Sequence, residues 1–132
     1  MVPLDGSKNS LRGLKFASVI AKQSGSSIIG LNVYSPPMFV KTSSTVRDKA
    51  KQKNKEIIKQ AKIISQKAHV SFTGITKINN NIGKTIVTFA ENHGVDMIII
   101  GSCGADPEIE LFLGSVANHV VIKSKIPVTV VK

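Results

Sequence analysis

Two glycine-containing segments near the C-terminus have residue types suited to binding an anion. Gly101-Ser102-Cys103-Gly104 follows a run of four apolar residues, and Gly114-Ser115 begins an apolar helical pattern. Glycine lets backbone N–H groups approach a ligand closely, and adjacent N–H groups form a concave site for phosphate. The free N–H groups and the dipole at the start of a helix also favour negative charge. The two segments predict a phosphate site, with simple turns as the alternative.

Asp5-Gly6-Ser7 is a third candidate segment, and it directly follows the first predicted strand. In an open α/β sheet, ligands bind beyond the carboxyl ends of the strands, where the strand order reverses. A loop after the first strand and a loop after the fourth strand can therefore face one crevice. The sequence shows no Ser-His-Asp triad and no paired carboxylates, so we predict a binding site without catalytic residues.

The elements that must position these loops alternate short β-branched runs with longer helical patterns. Alternation of this kind indicates parallel strands joined by right-handed crossovers. The sequence therefore predicts one α/β domain over residues 1–132, a doubly wound fold with a five-stranded parallel sheet and helices on both faces. The predicted strands are residues 2–4, 27–34, 70–78, 97–100 and 127–131.

Four helical patterns separate the predicted strands. The first begins at Ser7 or Ser10, which are residue types that cap helices, and it ends at Gly25. The third has an apolar face formed by Ile82, Ile86, Phe89, Ala90 and His93 and ends at Gly94, and the fourth has an apolar stripe over residues 113–121. The second carries its apolar stripe within a lysine-rich segment.

Basic residues are concentrated in residues 41–67. This segment holds nine of the 18 lysines and arginines and two acids, a net charge of +7 out of the formal +10 of the chain. A basic stripe can meet nucleic acid or an anionic membrane, but a solvated helix face is the favoured interpretation. No aromatic residue lies between Val40 and His69, so the segment lacks the stacking platform of single-strand binders.

Cys103 is the single cysteine, which excludes an intrachain disulfide and a cysteine-rich metal cluster. A reducing, cytoplasmic location fits this cysteine usage. No apolar run reaches the roughly 18 residues of a membrane-spanning helix, and we expect no signal peptide. Near the N–H groups of a helix, the Cys103 thiol could serve as a redox sensor, although a plain small loop residue is the favoured interpretation.

Gly83-Lys84-Thr85 follows a predicted strand and begins a helix, as the end of a phosphate-binding P-loop does. The first glycine of that motif should stand at position 78, which is Ile78. Half of the phosphate cradle is therefore missing, and we interpret the segment as an ordinary helix start.

The spacing of the glycines resembles a motif of the universal stress protein family. Gly101 is followed by two residues and Gly104, then by nine residues and Gly114-Ser115. This order matches the G-x2-G-x9-G-[S/T] pattern of the ATP-binding members. Four longer segments also resemble the family, in the same order along the chain, and these are residues 3–7, 94–102, 113–117 and 127–131.

The resemblance implies an ATP-binding regulatory or stress-response protein that acts as a homodimer, with ATP bound together with Mg²⁺ or Mn²⁺. Nucleotide occupancy would set the affinity for an unidentified protein partner. The family's strand order, 3-2-1-4-5, would bring strands 1 and 4 together at the crevice. Family members commonly dimerise through the fifth strand, here Val128–Val131.

The resemblance also implies roles for individual residues. Asp5 would contact the sugar end of the nucleotide, Pro3 and Val33 would contact adenine, and the glycine segments would hold the ribose and the phosphates. The implied nucleotide site comprises Pro3, Asp5, Val33, Gly101, Ser102, Cys103, Gly104, Ala105, Gly114, Ser115 and Val116.

Three acids, Asp106, Glu108 and Glu110, stand where family members often have basic or polar residues. Their repulsion of a triphosphate makes a bridging divalent metal ion the expected condition for tight binding, whereas carboxylates that point into solvent would have little effect. No residue is evidently placed to activate water, so we expect no enzyme activity beyond a slow ATPase. The alternative function is a protein-interaction module of the same fold that binds no nucleotide or only AMP.

Overall fold

Strands and helices alternate along the parts of the chain that the computed structural model describes, residues 1–35, 44–104 and 113–132. Each predicted strand is present, and its ends lie within two residues of the prediction. The elements are β1 (Val2–Pro3), α1 (Lys8–Ser24), β2 (Ile28–Tyr34), α2 (Ser44–Lys67), β3 (Phe72–Ile78), α3 (Ile82–Asn92), β4 (Ile98–Gly101), α4 (Ser115–Lys123) and β5 (Val128–Val131).

The paired strands are parallel, but their ladders form two sheets and not the single five-stranded sheet that we predicted. One sheet has the order β1-β2-β3, and the other pairs β4 with β5. The physical reason is the brevity of β1, whose two residues pair with β2. Met1 joins the sheets, because its amine donates to the Met97 carbonyl at 2.7 Å and its carbonyl accepts from the Ile99 N–H at 2.9 Å. These two bonds place β1 beside β4 without a continuous ladder.

Helices cover both faces of the strands, as a doubly wound fold requires. Ile99 is buried in a cluster with α1 and α2, whereas Ile98 and Ile100 on either side of it are buried with α3 and α4. A strand buried on both faces must alternate in this way, because successive side chains point to opposite faces. The buried helix residues are Leu14, Ala17, Ala21, Ile57 and Ala61 on one face, and Ile86, Val87, Phe89, Ala90, Ala117 and Val120 on the other.

Side-chain caps and left-handed glycines fix the ends of α1 and α3, and Gly94 follows α3 with a φ of 59°. Ser7 caps α1 by accepting from the Ser10 N–H at 3.1 Å, and Gly25 ends this helix with a φ of 67°. Asn81 caps α3 by accepting from the Lys84 N–H at 3.1 Å, so the segment that resembles half a P-loop is a helix start, as we predicted. Within the described residues, every helix is too short or too polar to cross a membrane.

Candidate functional site

A cavity of about 300 Å³ lies at the carboxyl ends of β1 and β4. Its volume is at the lower end of the range for small-molecule sites, roughly 300–1,000 Å³. The loops after the two strands line it, together with the end of β2 and the starts of α1, α3 and α4. The cavity therefore lies where the sequence predicted a crevice.

Nine of the eleven residues predicted for the nucleotide site line this cavity. Ser102 does not, because it is buried behind the loop, where its N–H donates to the Val131 carbonyl at 2.8 Å. Ala105 lies outside the described residues, as do Asp106, Glu108 and Glu110. The nine lining residues are Pro3, Asp5, Val33, Gly101, Cys103, Gly104, Gly114, Ser115 and Val116.

One side of the cavity is apolar. Leu31 and Val33 of β2 line it together with Ile82 and Ile86 of α3. We predicted the two isoleucines only as part of the apolar face of the third helix, and not as residues of the site. A flat ring with apolar faces, such as a purine base, suits a wall of this kind.

The start of α4 forms another part of the cavity lining. Ser115, Val116 and Ala117 occupy the first three positions of the helix, and all three line the cavity. The N–H groups at these positions have no acceptor within the helix. Together with the helix dipole, they suit the binding of an anion.

The structure changes the role that we predicted for Gly114. Its N–H, which we expected to bind phosphate, donates to the Ser102 carbonyl at 2.7 Å. A Cβ at position 114 would lie 3.2 Å from the Cys103 Cα and 3.3 Å from the Ser102 oxygen. The two glycine segments therefore pack so closely that a side chain at position 114 would require its neighbours to move by a few tenths of an ångström.

Gly101 is required by packing. A Cβ at this position would lie 2.8 Å from the Asn9 carbonyl carbon and 2.9 Å from the Ser10 nitrogen. Both are backbone atoms of the first turn of α1, which cannot rotate away as a side chain could. The backbone at the end of β4 therefore packs directly against the backbone at the start of α1, beside the cavity.

Asn9 holds the loop after β4 from behind. Its Nδ2 donates to the Cys103 Sγ at 2.9 Å and to the Cys103 carbonyl oxygen at 3.3 Å. Both side chains are buried, with 9% of Asn9 and 7% of Cys103 exposed. This contact could not be predicted from the sequence, because asparagine is common near the start of any helix. The buried, hydrogen-bonded thiol agrees with a structural loop residue.

Asp5 lies at the mouth of the cavity and is exposed. Its Oδ1 accepts from the Ser7 N–H at 2.9 Å, and its Oδ2 would lie 3.1 Å from a Cβ at Gly104. The carboxylate therefore reaches from the loop after β1 towards the loop after β4. At this place it can accept hydrogen bonds from sugar hydroxyl groups.

Metal binding has little support in the described parts of the chain. Within residues 1–35, 44–104 and 113–132, no three histidine, cysteine or acidic side chains are grouped so that they could hold a metal ion. Asp5 is the one carboxylate among the described lining residues, so a metal ion at the cavity would need further ligands, such as the oxygens of a bound phosphate.

Together, the fold and the cavity define a doubly wound domain with a ligand site at the ends of its strands. The sequence profile of the universal stress protein family matches residues 1–132. The chain belongs to the universal stress protein family.

Known relatives agree with this assignment along the whole chain. Universal stress protein MJ0531 of Methanocaldococcus jannaschii is 29% identical over an alignment that covers 100% of this chain and 80% of the relative. Universal stress protein YxiE of Bacillus subtilis is 28% identical, with 100% and 97% covered. The solved structure of a universal stress protein from Archaeoglobus fulgidus in complex with dAMP is similar at a TM-score of 0.71 and 26% identity, covering 98% of this chain and 94% of that one.

Proposed function

We propose that this protein is an ATP-binding universal stress protein, a nucleotide-dependent regulator that acts as a homodimer. The cavity carries this proposal, because it combines an apolar wall from β2 and α3 with the free N–H groups of α4. An adenine nucleotide has a matching polarity, with a flat ring at one end and phosphates at the other. The dAMP bound to the Archaeoglobus fulgidus protein supports a nucleotide as the ligand.

In the proposed complex, the base lies against Pro3 and Val33, and the sugar lies near Asp5. The phosphates meet the N–H groups of Ser115 and Val116, which are the free donors at the start of α4. Gly104 borders the mouth of the cavity, where the absence of a side chain leaves room for the ligand.

We propose Mg²⁺ or Mn²⁺ as the companion of ATP. Mg²⁺ usually keeps several waters and is bound through one or two carboxylates and the phosphates of the substrate. It therefore needs no preformed cage of side chains, and Asp106, Glu108 and Glu110 are the candidate carboxylates. Hydrolysis should be slow at most, because Asp5 is the one carboxylate among the described lining residues and it already accepts from the Ser7 N–H.

The proposed dimer contact is the outer edge of β5. This strand pairs with β4 on one side and is the edge strand of the smaller described sheet. Val130 in its middle is 37% exposed. An apolar strand edge with unpaired backbone groups favours pairing with a second copy.

Isothermal titration calorimetry with Mg-ATP tests the nucleotide proposal. We expect saturable heat, and binding should weaken when the metal ion is removed with EDTA. If millimolar Mg-ATP gives no binding to the purified, ligand-free protein, the proposal is wrong.

A pair of substitutions at Gly104 tests where the nucleotide binds. Among the described residues, a Cβ at Gly104 meets only the Asp5 Oδ2 within 4 Å, and the position is exposed. Gly104→Val should weaken Mg-ATP binding about 5- to 150-fold, since overpacking costs about 1–3 kcal/mol. Gly104→Ala is the matched control with a smaller expected loss, and both variants should unfold at the same urea concentration as the wild type.

The alternative function is a protein-interaction module that binds no nucleotide or only AMP. The small cavity volume and the use of the Gly114 N–H inside the protein favour this alternative over a triphosphate. Mass spectrometry of the ligand released from purified protein distinguishes the two. Release of ATP supports the first function, whereas release of AMP alone or of no nucleotide supports the second.

A further inference from the structure

The two helical layers differ in charge. α1 has four basic residues and no acid, and α2 has eight basic residues and two acids, so the two helices together carry +10. This equals the formal net charge of the whole chain. α3 and α4 together have two lysines and one glutamate, which is +1. The outer surface of α1 and α2, called the basic face below, therefore accounts for the net charge.

The lysines of the basic face are exposed and largely unneutralised. Within the described residues, the one ion pair joins Lys59 to Glu56 at 3.8 Å, and both side chains are more than half exposed. Exposed pairs of this kind are weak. Unneutralised lysines that share one face produce a positive potential, which attracts an extended anionic partner.

A groove of about 350 Å³ lies between α1 and α2 within the basic face. The exposed lysines Lys15, Lys22 and Lys67 line it together with the apolar Val19 and Ile64. The groove shares no lining residue with the nucleotide cavity. A partner could therefore bind here while a nucleotide occupies the cavity.

Apolar side chains stand among the lysines on the outside of both helices. Val19 is 57% exposed and lies one turn from Lys15 and from Lys22, and Ile63 is 43% exposed and lies one turn from Lys67. Contact with the phosphates of a nucleic acid would leave such apolar side chains without a favourable partner. Burial at the boundary between lipid headgroups and acyl chains would stabilise them.

We propose that the basic face docks on an anionic membrane surface, with the lysines at the lipid headgroups and Val19 and Ile63 in the boundary below them. Charge complementarity supports this occupant, because clusters of lysine near an anionic leaflet are attracted to it. Duplex nucleic acid would satisfy the lysines but not the apolar side chains. The long basic helix α2 has no aromatic residue. The exposed aromatic residue of α1 is Phe16, which is 43% exposed, and a single ring is not the row of aromatic rings on which successive single-stranded bases stack.

Sedimentation with extruded vesicles tests this docking on the wild-type protein. We expect binding to vesicles of equal parts phosphatidylglycerol and phosphatidylcholine, and no binding to pure phosphatidylcholine. Binding should fall steeply with NaCl, because the Debye length shortens from about 10 Å at 0.1 M to about 3 Å at 1 M. If the protein fails to bind the anionic vesicles at low salt, the proposal is overturned.

Charge reversal locates the binding face. The triple substitution Lys15→Glu, Lys22→Glu and Lys67→Glu should weaken vesicle binding about a hundredfold or more. The matched control replaces three exposed lysines outside the basic face by glutamate and changes the net charge by the same amount. These lysines are Lys84, Lys123 and Lys125. Equal losses in both variants would show that total charge, and not the basic face, causes binding, and would overturn the proposal.

A neutral variant separates a membrane from a nucleic acid. The double substitution Val19→Ser and Ile63→Ser keeps every charge and should weaken vesicle binding about tenfold. Binding to a short DNA duplex, measured by fluorescence anisotropy, should be unchanged by it. Unchanged vesicle binding together with tight, salt-dependent duplex binding would assign the basic face to nucleic acid and overturn the proposal. Unfolding by urea at the wild-type midpoint confirms that each variant is folded.

Discussion

The α1–α2 layer and the α3–α4 layer differ in their charge and in what they contribute to the lining of the cavity. The α3–α4 layer lines the cavity with Ile82, Ile86 and the first turn of α4, yet it carries only +1. The α1–α2 layer carries +10, and Ser10 is its one described residue in the cavity lining. Phosphate would therefore meet neutral backbone N–H groups on one side, whereas an extended anionic surface would meet lysines on the other.

The net positive charge of the molecule is therefore separated from its proposed phosphate site. Fixed N–H groups and a helix dipole act over a short distance and suit one small ligand in a shaped cavity. Lysine is a point charge on a flexible stem and suits a partner without defined geometry. The start of α1 also contacts β4 and the loop after it beside the cavity, where Asn9 donates to Cys103 and where Gly101 meets the α1 backbone.

The largest effect is expected from Gly101→Ala, which forces the start of α1 away from the end of β4. The new Cβ would lie 2.8 Å from the Asn9 carbonyl carbon and 2.9 Å from the Ser10 nitrogen. We expect the free energy of unfolding to fall by about 1–3 kcal/mol, because backbone must move. Urea denaturation measures this loss, and an unchanged midpoint would show that α1 and β4 are not in the close contact described above.

A smaller effect is expected from Asn9→Ala, which removes two hydrogen bonds to Cys103 without adding any atoms. Loss of the bonds at 2.9 Å and 3.3 Å should cost about 1 kcal/mol of stability. The loop after β4 should loosen and nucleotide affinity should fall, while vesicle binding by the basic face should stay at the wild-type level. A parallel fall of both affinities would contradict the independence of the two layers. Arg12→Ala, which removes the 3.4 Å contact to the Asn9 Oδ1 but leaves Cys103 bound, is the control for nucleotide affinity.

The fold was largely predictable because its signals are local. The periodicity of apolar residues gave the strands and helices, and Ser7 and Gly25 cap and end α1 as predicted. The division into two sheets was not predictable, because it depends on how far the short β1 extends its ladder. The length of this ladder depends on the geometry of the hydrogen bonds that Met1 makes to Met97 and Ile99, and residue types do not determine that geometry.

The candidate site was predictable in its position and less so in its chemistry. Glycine spacing pointed to loops that line the cavity, but a glycine that binds phosphate and one that allows close packing look the same in a sequence. Gly101 and Gly114 proved to be packing glycines, since a Cβ at either would meet protein atoms. Asn9 and Ile82 were missed because a helix start and an apolar stripe usually serve the fold alone.

The smallest effect, opposite in sign, is expected from Gly13→Ala on the same side of α1. Gly13 also faces β4, but its Cβ would lie 3.7 Å from the Gly101 nitrogen and 3.9 Å from the Ile99 Cγ2, which are ordinary contact distances. Alanine in a helix interior is more stable than glycine by about 0.5–1 kcal/mol. We therefore expect a higher urea midpoint with unchanged nucleotide and vesicle binding. A loss of stability would show that α1 also lies too close to β4 at Gly13 to accept a methyl group. The close contact of α1 with β4 would then extend beyond the contact of Gly101 with Asn9 and Ser10.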